Sequence, residues 1–406
     1  MKNTAIVSTA ALSLLALGAS ARAQNIDQPR VGLPPLQYNF APPGARSLAM
    51  GASFIGLADD ATASESNPAG LTVLTKPEVS AHFRYSSFDN EAPNTVSGSG
   101  FATFNERLGS PAFFSVVYPW KSAAVAAYYQ RAADFRNQSF FEGVLEGGTP
   151  NYDQADTKFR VENVGLSTAV KLGAKVSVGG SLRLSRVALH SVQRATLPDF
   201  GFLNRIQGTV NETRTQETFN AGILVRPLSK LSVGAVYKKG GNFGFHQTDS
   251  VSRIEADDEI EDFRDTRAVR VAIPDTYGAG VALHPTDRWV IAADVVRILY
   301  SDSDPGPDNL NLYQVAGEGG RAALEDATEV HVGTEYAWTA GNDWILSLRG
   351  GLYTDPDHDG LAGIDSDQVH VTFGGGVVVQ NRLQLDAAVS ISDRLKEGLL
   401  SVVVRF

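Results

Sequence analysis

The chemistry open to this chain is bounded first by what it lacks. Its 406 residues contain no cysteine and only seven scattered histidines. A thiolate metal site, cysteine catalysis and a disulfide framework are therefore excluded. No G-x-S-x-G elbow, P-loop or H-E-x-x-H stretch occurs, so neither an enzymatic activity nor a cofactor is expected. A histidine-based hydrolase site assembled across strands is the enzymatic alternative, and no motif supports it. One stretch has metal-ligand spacing: 355–360 read D-P-D-H-D-G, so Asp355, Asp357 and Asp359 match the first half of a calcium loop. The twelfth position is Ser366 where a bidentate Glu is needed, and Pro356 stiffens the turn, so a solvated acidic turn is the stronger reading. The acidic run 255–265 is likewise read as a solvated outer loop.

A second set of reactive side chains interrupts otherwise apolar, alternating stretches: Arg183, Asp294, His331, Glu335, Arg349, Asp386 and Arg405. Charges on an enclosed face need partners, so these are expected to pair with one another and with whatever fills the enclosure. An arginine among them could instead receive a ligand carboxylate. Arg183 and Arg349 are the candidates.

The elements that must position these residues have period two. In 383–391, Leu383, Leu385, Val389 and Ile391 oppose Gln384, Asp386 and Ser390. In 400–406, Leu400, Val402, Val404 and Phe406 oppose Ser401 and Arg405. Alternation predicts strands over 76–88, 110–119, 122–135, 157–171, 174–194, 212–227, 230–248, 275–285, 288–301, 327–340, 343–356, 367–380, 383–394 and 398–406. Alternation alone does not separate a soluble sandwich from a membrane barrel; loop length does. Between these fourteen strands, turns of about two residues alternate with gaps of roughly 10–26 residues, and only the last gap breaks the rule. Short turns on one side and long connections on the other predict a fourteen-stranded antiparallel transmembrane β-barrel in a bacterial outer membrane. Several strands exceed the ~9–11 residues that cross a bilayer, so the wall should rise above it. All four tryptophans, Trp120, Trp289, Trp338 and Trp344, fall in or near short turns, as a headgroup girdle requires.

The formal net charge is −10, which argues against a nucleic-acid partner. The longest apolar run lies at the N-terminus, where Lys2, the stretch 5–17 and Ala21-Arg22-Ala23 read as an export signal over 1–23. Residues 24–75 lack strand alternation. They combine proline pairs with small, helix-compatible stretches and end in Asn67-Pro68-Ala69, a turn-forming, helix-stopping triplet. A barrel of fourteen strands is too wide for its own side chains to fill, so 24–75 are expected to plug the lumen of a barrel spanning 76–406.

The stretch 44–71, GARSLAMGASFIGLADDATASESNPAGL, resembles the hatch of the FadL/TodX-type outer-membrane transporters for long-chain fatty acids and other hydrophobic compounds. The segment 273–278, I-P-D-T-Y-G, then 284–289, H-P-T-D-R-W, and Asp294 are similar to that family's middle strands. The terminal Phe406 is similar to the assembly signal of many barrels. The resemblance implies a monomeric barrel set in outer-membrane lipid. A hydrophobic small molecule, a fatty acid or hydrocarbon, is captured at the outer loops. It passes to an internal apolar pocket and leaves sideways through a wall gap when the hatch shifts. Asn67, Pro68 and Ala69 match the family's hatch triplet and would act in gating. The family's gap lies at a kinked third strand, and 122–135 contain no Gly or Pro to mark a kink. Gly179-Gly180 is a second local weak point. The competing reading is a structural or assembly barrel that serves as an attachment site in a secretion machine.

Overall fold

A computed structural model describes residues 43–93, 101–144, 150–199, 202–255, 258–303, 325–341, 343–356 and 367–406. The expected export signal, 1–23, lies outside the described residues, as do 24–42 of the expected plug.

Sixteen strand segments form one antiparallel sheet that closes on itself through β5–β6 and β1–β16 pairing. They are β1 (Glu78–Pro93), β2 (Phe101–Pro119), β3 (Ala123–Val144), β4 (Pro150–Lys171), β5 (Val176–Asp199), β6 (Phe202–Leu228), β7 (Leu231–Lys238) and β8 (Asn242–Glu255). There follow β9 (Asp258–Ala272), β10 (Thr276–Thr286), β11 (Trp289–Ile298), β12 (Ala327–Ala340), β13 (Trp344–Asp355), β14 (Gln368–Val379), β15 (Leu383–Ile391) and β16 (Leu395–Arg405). The ring itself has fourteen strands. β7 and β10 are the lower parts, and β8 and β9 the upper parts, of its seventh and eighth strands. β8 and β9 pair with each other, and β8 pairs with the outer end of β6.

Large apolar side chains face outward, where lipid replaces a protein core. Leu166, Leu182, Leu348 and Leu400 are each more than 60% exposed. Trp120, Trp289 and Trp344 are exposed beside the short turns, and the Trp289 indole N–H donates to Thr334 Oγ1 at 2.7 Å. At the β14–β15 turn, Gln380 and Asn381 both take positive φ (51° and 50°), the backbone of a type I′ hairpin that matches strand twist. Phe406 ends the outward row of β16, and its N–H bonds the Pro77 carbonyl at 3.1 Å.

Two sequence expectations change. Most of the predicted long outer loops are strand: β3 and β4 run on to Val144 and from Pro150, and β5 and β6 to Asp199 and from Phe202. Interspersed polar residues hid these extensions, because a wall standing in water has no lipid-facing apolar row. The acidic run is not a loop either. Most of it lies on β9, where Arg264 pairs with Glu261 within the strand and Arg253 on β8 pairs with Asp262.

Residues 43–77 lie inside the ring. They form α1 (Ala45–Ala49), α2 (Ala63–Ser66) and a 3-10 turn, Pro68–Val73. These helices are too short to persist alone, and the wall supplies their stability. Ala45, Leu48, Ala49, Ala63, Ala69 and Leu71 are fully buried.

Candidate functional site

The hatch meets the wall at backbone distance. Asn67, completely buried, donates from Nδ2 to the Ile55 carbonyl within the hatch (2.9 Å) and to the Ile223 carbonyl of β6 (3.2 Å). Its Oδ1 accepts the Ala69 N–H at 3.3 Å, which starts the 3-10 turn under Pro68. Three wall glycines admit this triplet. A β-carbon at Gly179 would stand 2.5 Å from the Pro68 carbonyl carbon, one at Gly222 2.1 Å from Asn67 Oδ1, and one at Gly234 2.2 Å from the Ile55 carbonyl oxygen. Gly179 is therefore a seat for the hatch. Its β-ladder is intact, pairing with Ala169 and Gly222, so the expected weak point in the fifth strand is absent.

The lumen charges separate into two kinds. On the late strands they fasten the hatch. Asp294 Oδ2 accepts the N–H groups of Phe54 (2.6 Å) and Ile55 (2.7 Å). His331 bonds the Gly51 carbonyl through Nδ1 and Glu329 through Nε2, both at 3.0 Å. Glu335 takes hatch residue Arg46 (2.9 Å) together with Arg349 of β13, and Arg349 also holds Asp386 at 2.7 Å. Arg46 in turn pairs with Asp59 in the hatch. Arg46 carries this junction and was not singled out in the sequence, because a helix-compatible stretch gives no sign of which side chain faces the wall. Arg405 stands apart from the hatch, on Glu78 and Gln384 (both 2.6 Å). Asp355 ends β13, while Asp357 and Asp359 lie outside the described residues. Among the described residues, no cluster of three or more His, Cys, Asp or Glu could hold a metal ion.

Arg183 is of the second kind. Its Nε donates to Thr218 Oγ1 (3.1 Å) and its Nη2 to the Lys239 carbonyl (2.7 Å). Both acceptors are neutral, and among the described residues no carboxylate lies in ion-pair range. It lines a cavity of about 150 Å³ whose floor is hatch residues Phe54 and Ile55 and whose sides include Val161, Val236, Val296 and Ile298. Lys238, also at this wall, is neutralised by Glu65 of α2 at 2.7 Å. Above lies a buried apolar cluster containing Phe135, Phe159, Leu189, Phe243 and Phe245; it shares Ala132, Val161 and Ile273 with the cavity. At the cavity rim, between β9 and β10, Asp275 accepts from Lys239 (2.8 Å), Tyr237 (2.6 Å) and the Gly240 N–H (2.9 Å). Burial alone would raise its pKa, but these hydrogen bonds outweigh it and hold the carboxyl below its usual range.

The wall beside the cavity is incompletely paired. β2 and β3 are bonded from Phe113↔Gln130 down to Pro119↔Ala124, and no further pair joins them outward among the described residues. β2 then pairs only with β1, and β3 only with β4. Both strands are bulged at this point, β2 around Ala112 and β3 between Arg131 and Ala133. A bulge bends its strand and ends pairing. The third strand is thus deformed without Gly or Pro, a device that residue types do not announce. The seam begins beside outward Phe114 and below outward Arg107, within the apolar band. Gln130 and Ala132 at its edge line the cavity. Phe113 stacks on Tyr128 at its foot (5.8 Å), and Phe88 meets Phe135 across it (6.5 Å).

A closed fourteen-stranded barrel with outward aliphatic rows, an aromatic girdle and a wall-bonded hatch defines a plugged outer-membrane transport barrel. Residues 44–397 match the family model described as outer membrane protein transport protein (OMPP1/FadL/TodX), and the chain belongs to that family of outer-membrane transporters of hydrophobic compounds. Among solved structures it is similar to a Pseudomonas aeruginosa FadL homologue (15% identity, 93% of this chain and 99% of that one, TM-score 0.64). It is also similar to the Pseudomonas putida toluene transporter TodX (17%, 92% and 98%, 0.62) and the Ralstonia pickettii toluene transporter TbuX (15%, 91% and 99%, 0.63). At these identities the likeness is one of fold. No curated protein sequence matches the chain.

Proposed function

We propose that the protein, as a monomer, carries long-chain carboxylates of the fatty-acid type from the cell surface into the outer membrane. The ligand's apolar body crosses the outer cluster of Phe135, Phe159, Phe243 and Phe245 and settles in the cavity on Phe54 and Ile55. Arg183 takes the carboxylate, and the molecule leaves sideways between β2 and β3. The observation that carries this reading is the coincidence of three features at one place: a cavity in which apolar side chains such as Phe54, Ile55, Val161 and Val236 stand beside polar ones, an arginine with only neutral acceptors, and a lipid-level seam whose edge residue Gln130 lines the cavity. A buried guanidinium gains from an anionic partner, and an apolar molecule needs no aqueous path beyond the wall. The triplet Asn67-Pro68-Ala69 holds the hatch in its closed position, and Phe406 serves recognition during assembly.

The protein has no native cysteine, so a bridge across the seam can be placed cleanly. Ser110→Cys with Ala132→Cys, joined by a short bis-thiosulfonate cross-linker that forms two disulfides and releases two sulfinates, should cut oleate uptake about tenfold and recover on reduction. Undiminished uptake by the bridged barrel would remove the lateral route.

A further inference from the structure

A second interruption of the wall lies between β6 and β8 and differs in kind from the β2–β3 seam. β6 pairs with β7 from Leu228↔Leu231 up to Asn220↔Lys238, and with β8 from Thr209↔Thr248 outward. Between these ladders, 210–219 face 239–247: ten residues of β6 against nine of its neighbour. The odd residue changes the face of every side chain beyond it. In β7 the even positions Ser232 and Val236 are buried; in β8 the odd positions Phe243 and Phe245 are. β9 and β10 make the same change across 273–275, with Val269 and Val271 buried below it in sequence and Ala282 after it. β6 keeps its frame throughout its ladder with β5.

Side chains take over where the backbones cannot meet. Gln216 Oε1 accepts the Asn242 N–H (2.6 Å), Arg214 Nε donates to the Gly244 carbonyl (2.8 Å) and Glu212 Oε2 accepts the His246 N–H (3.0 Å). Glu212 also bonds Arg214 (2.7 Å) and the His246 ring (3.2 Å). The lower corner retains one main-chain bond, from the Lys239 N–H to the Phe219 carbonyl (2.8 Å). The result is a window framed by ladder above and below and spanned by three rotatable side chains.

Its height and its inner face suggest a use. Phe219 and Tyr237, with ring centres 5.8 Å apart, stand at its lower edge. The outward positions beside it are Thr213, Thr215 and Glu217 of β6 and Arg186 of β5, whereas Leu182 and Leu184 face outward below. An aromatic row under a polar one marks the outer headgroup boundary. On the inside, Gly240 and Gly241 line the cavity, and Arg183 bonds both edges, Thr218 of β6 and the Lys239 carbonyl.

We propose that this window is a side entrance through which an amphiphilic carboxylate, lying at the outer headgroup boundary, passes into the cavity and reaches Arg183. The proposal rests on the reading of the cavity as a carboxylate site. It adds a route that bypasses the outer apolar cluster and is separate from the β2–β3 exit. Passage displaces Gln216 and Arg214 from the Asn242 and Gly244 backbone, which water and the entering headgroup then satisfy. A neutral hydrocarbon, partitioned into the apolar bilayer interior, has no reason to use it.

Gly244 permits a test that leaves the fold alone, since a β-carbon there would meet nothing within 4 Å. In the purified full-length barrel, Gly244→Trp places an indole over the window. Stopped-flow binding of a fluorescent long-chain carboxylate should slow about tenfold with an unchanged equilibrium constant, while toluene binds at the wild-type rate. Gln216→Ala, which removes one bridge, should speed the carboxylate roughly threefold. An unchanged carboxylate rate in Gly244→Trp overturns the proposal, and so does equal slowing of both probes. Wild-type barrel that binds no carboxylate at equilibrium would defeat the proposed function itself, and the entrance with it.

Discussion

The two sides of the barrel hold the two candidate arginines, Arg349 and Arg183, in opposite ways. On the late strands, arginines meet acids: Arg349 lies between Glu335 and Asp386, Arg46 joins Glu335 to the hatch, and Asp294 holds two hatch N–H groups. Pairing there is continuous from β11 to β16. On the early strands, Arg183 meets neutral oxygens, the cavity opens beside it, and the wall is interrupted at β2–β3 and again at β6–β8. Charge that is fully matched makes structure, and charge that is matched only to dipoles is left available for a ligand. The late wall ties the hatch by charge, and the early wall is the proposed passage.

The sharpest way to break this division is to remove one arginine from each side. Arg349→Ala takes the ion partner from buried Asp386 and leaves Glu335 with Arg46 alone, a loss of about 3–5 kcal/mol for a broken buried pair. It should lower the temperature at which the barrel loses heat-modifiable mobility and should admit small polar antibiotics as the hatch loosens. Arg183→Gln keeps its neutral partners within reach. It should fold as wild type and bind a long-chain carboxylate about tenfold more weakly, or ~1.4 kcal/mol. If the two variants exchange behaviours, the assignment of anchor and passage is wrong.

A smaller effect tests the hatch on the early side. Asn67→Ala removes bonds to two carbonyls, Ile55 within the hatch and Ile223 in the wall. Leaving buried carbonyls unsatisfied costs about 1–3 kcal/mol. Because the late-side anchors remain, the barrel should fold and bind ligand, while uptake falls several-fold as the closed hatch position loses definition. Wild-type uptake in this variant would show that the triplet is a packing feature only.

Much of the fold, but not this division, was legible in the residues. Period-two alternation and turn spacing defined the ring of fourteen strands, and the tryptophans marked its lower edge. The lumen charges were found as a set because alternation places them on one face. What alternation cannot show is which arginine meets an acid: Arg183 and Arg349 occupy equivalent lumen positions, and only three-dimensional neighbours separate them. The interruptions were hidden for a related reason. The β2–β3 seam follows from bulges at Ala112 and Ala132, and the β6–β8 window from a one-residue difference between neighbouring strands. Pro111 beside Ala112 and Gly240-Gly241 with Pro274 at the window stand next to them, but a glycine or proline does not say which ladder it interrupts. The glycines that do stand out, Gly179 and Gly222, mark contact with the hatch.

The smallest predicted effect concerns the rim where the seventh and eighth strands change face. Asp275 ties this rim together by accepting from Lys239, Tyr237 and the Gly240 N–H. Its folded pKa is depressed, so its contribution is fully present above the unfolded value of about 3.9. It is lost as pH falls through the lower, folded value. The carboxyl is partly open to water, which keeps the energy small, and the consequence should be local. Amide exchange at 239–241, corrected for its intrinsic pH dependence, should accelerate as pH drops below about 4. The late strands β12 and β13 should show no matching change in that window at their main-chain bonds. Asp275→Asn should exchange faster at neutral pH and lose the acid dependence, because an amide cannot hold the Lys239 ammonium by charge. Unchanged exchange at 239–241 in that variant would mean that the β6–β7 ladder below, and not Asp275, fixes the rim, and that the early wall is firmer than its interruptions imply.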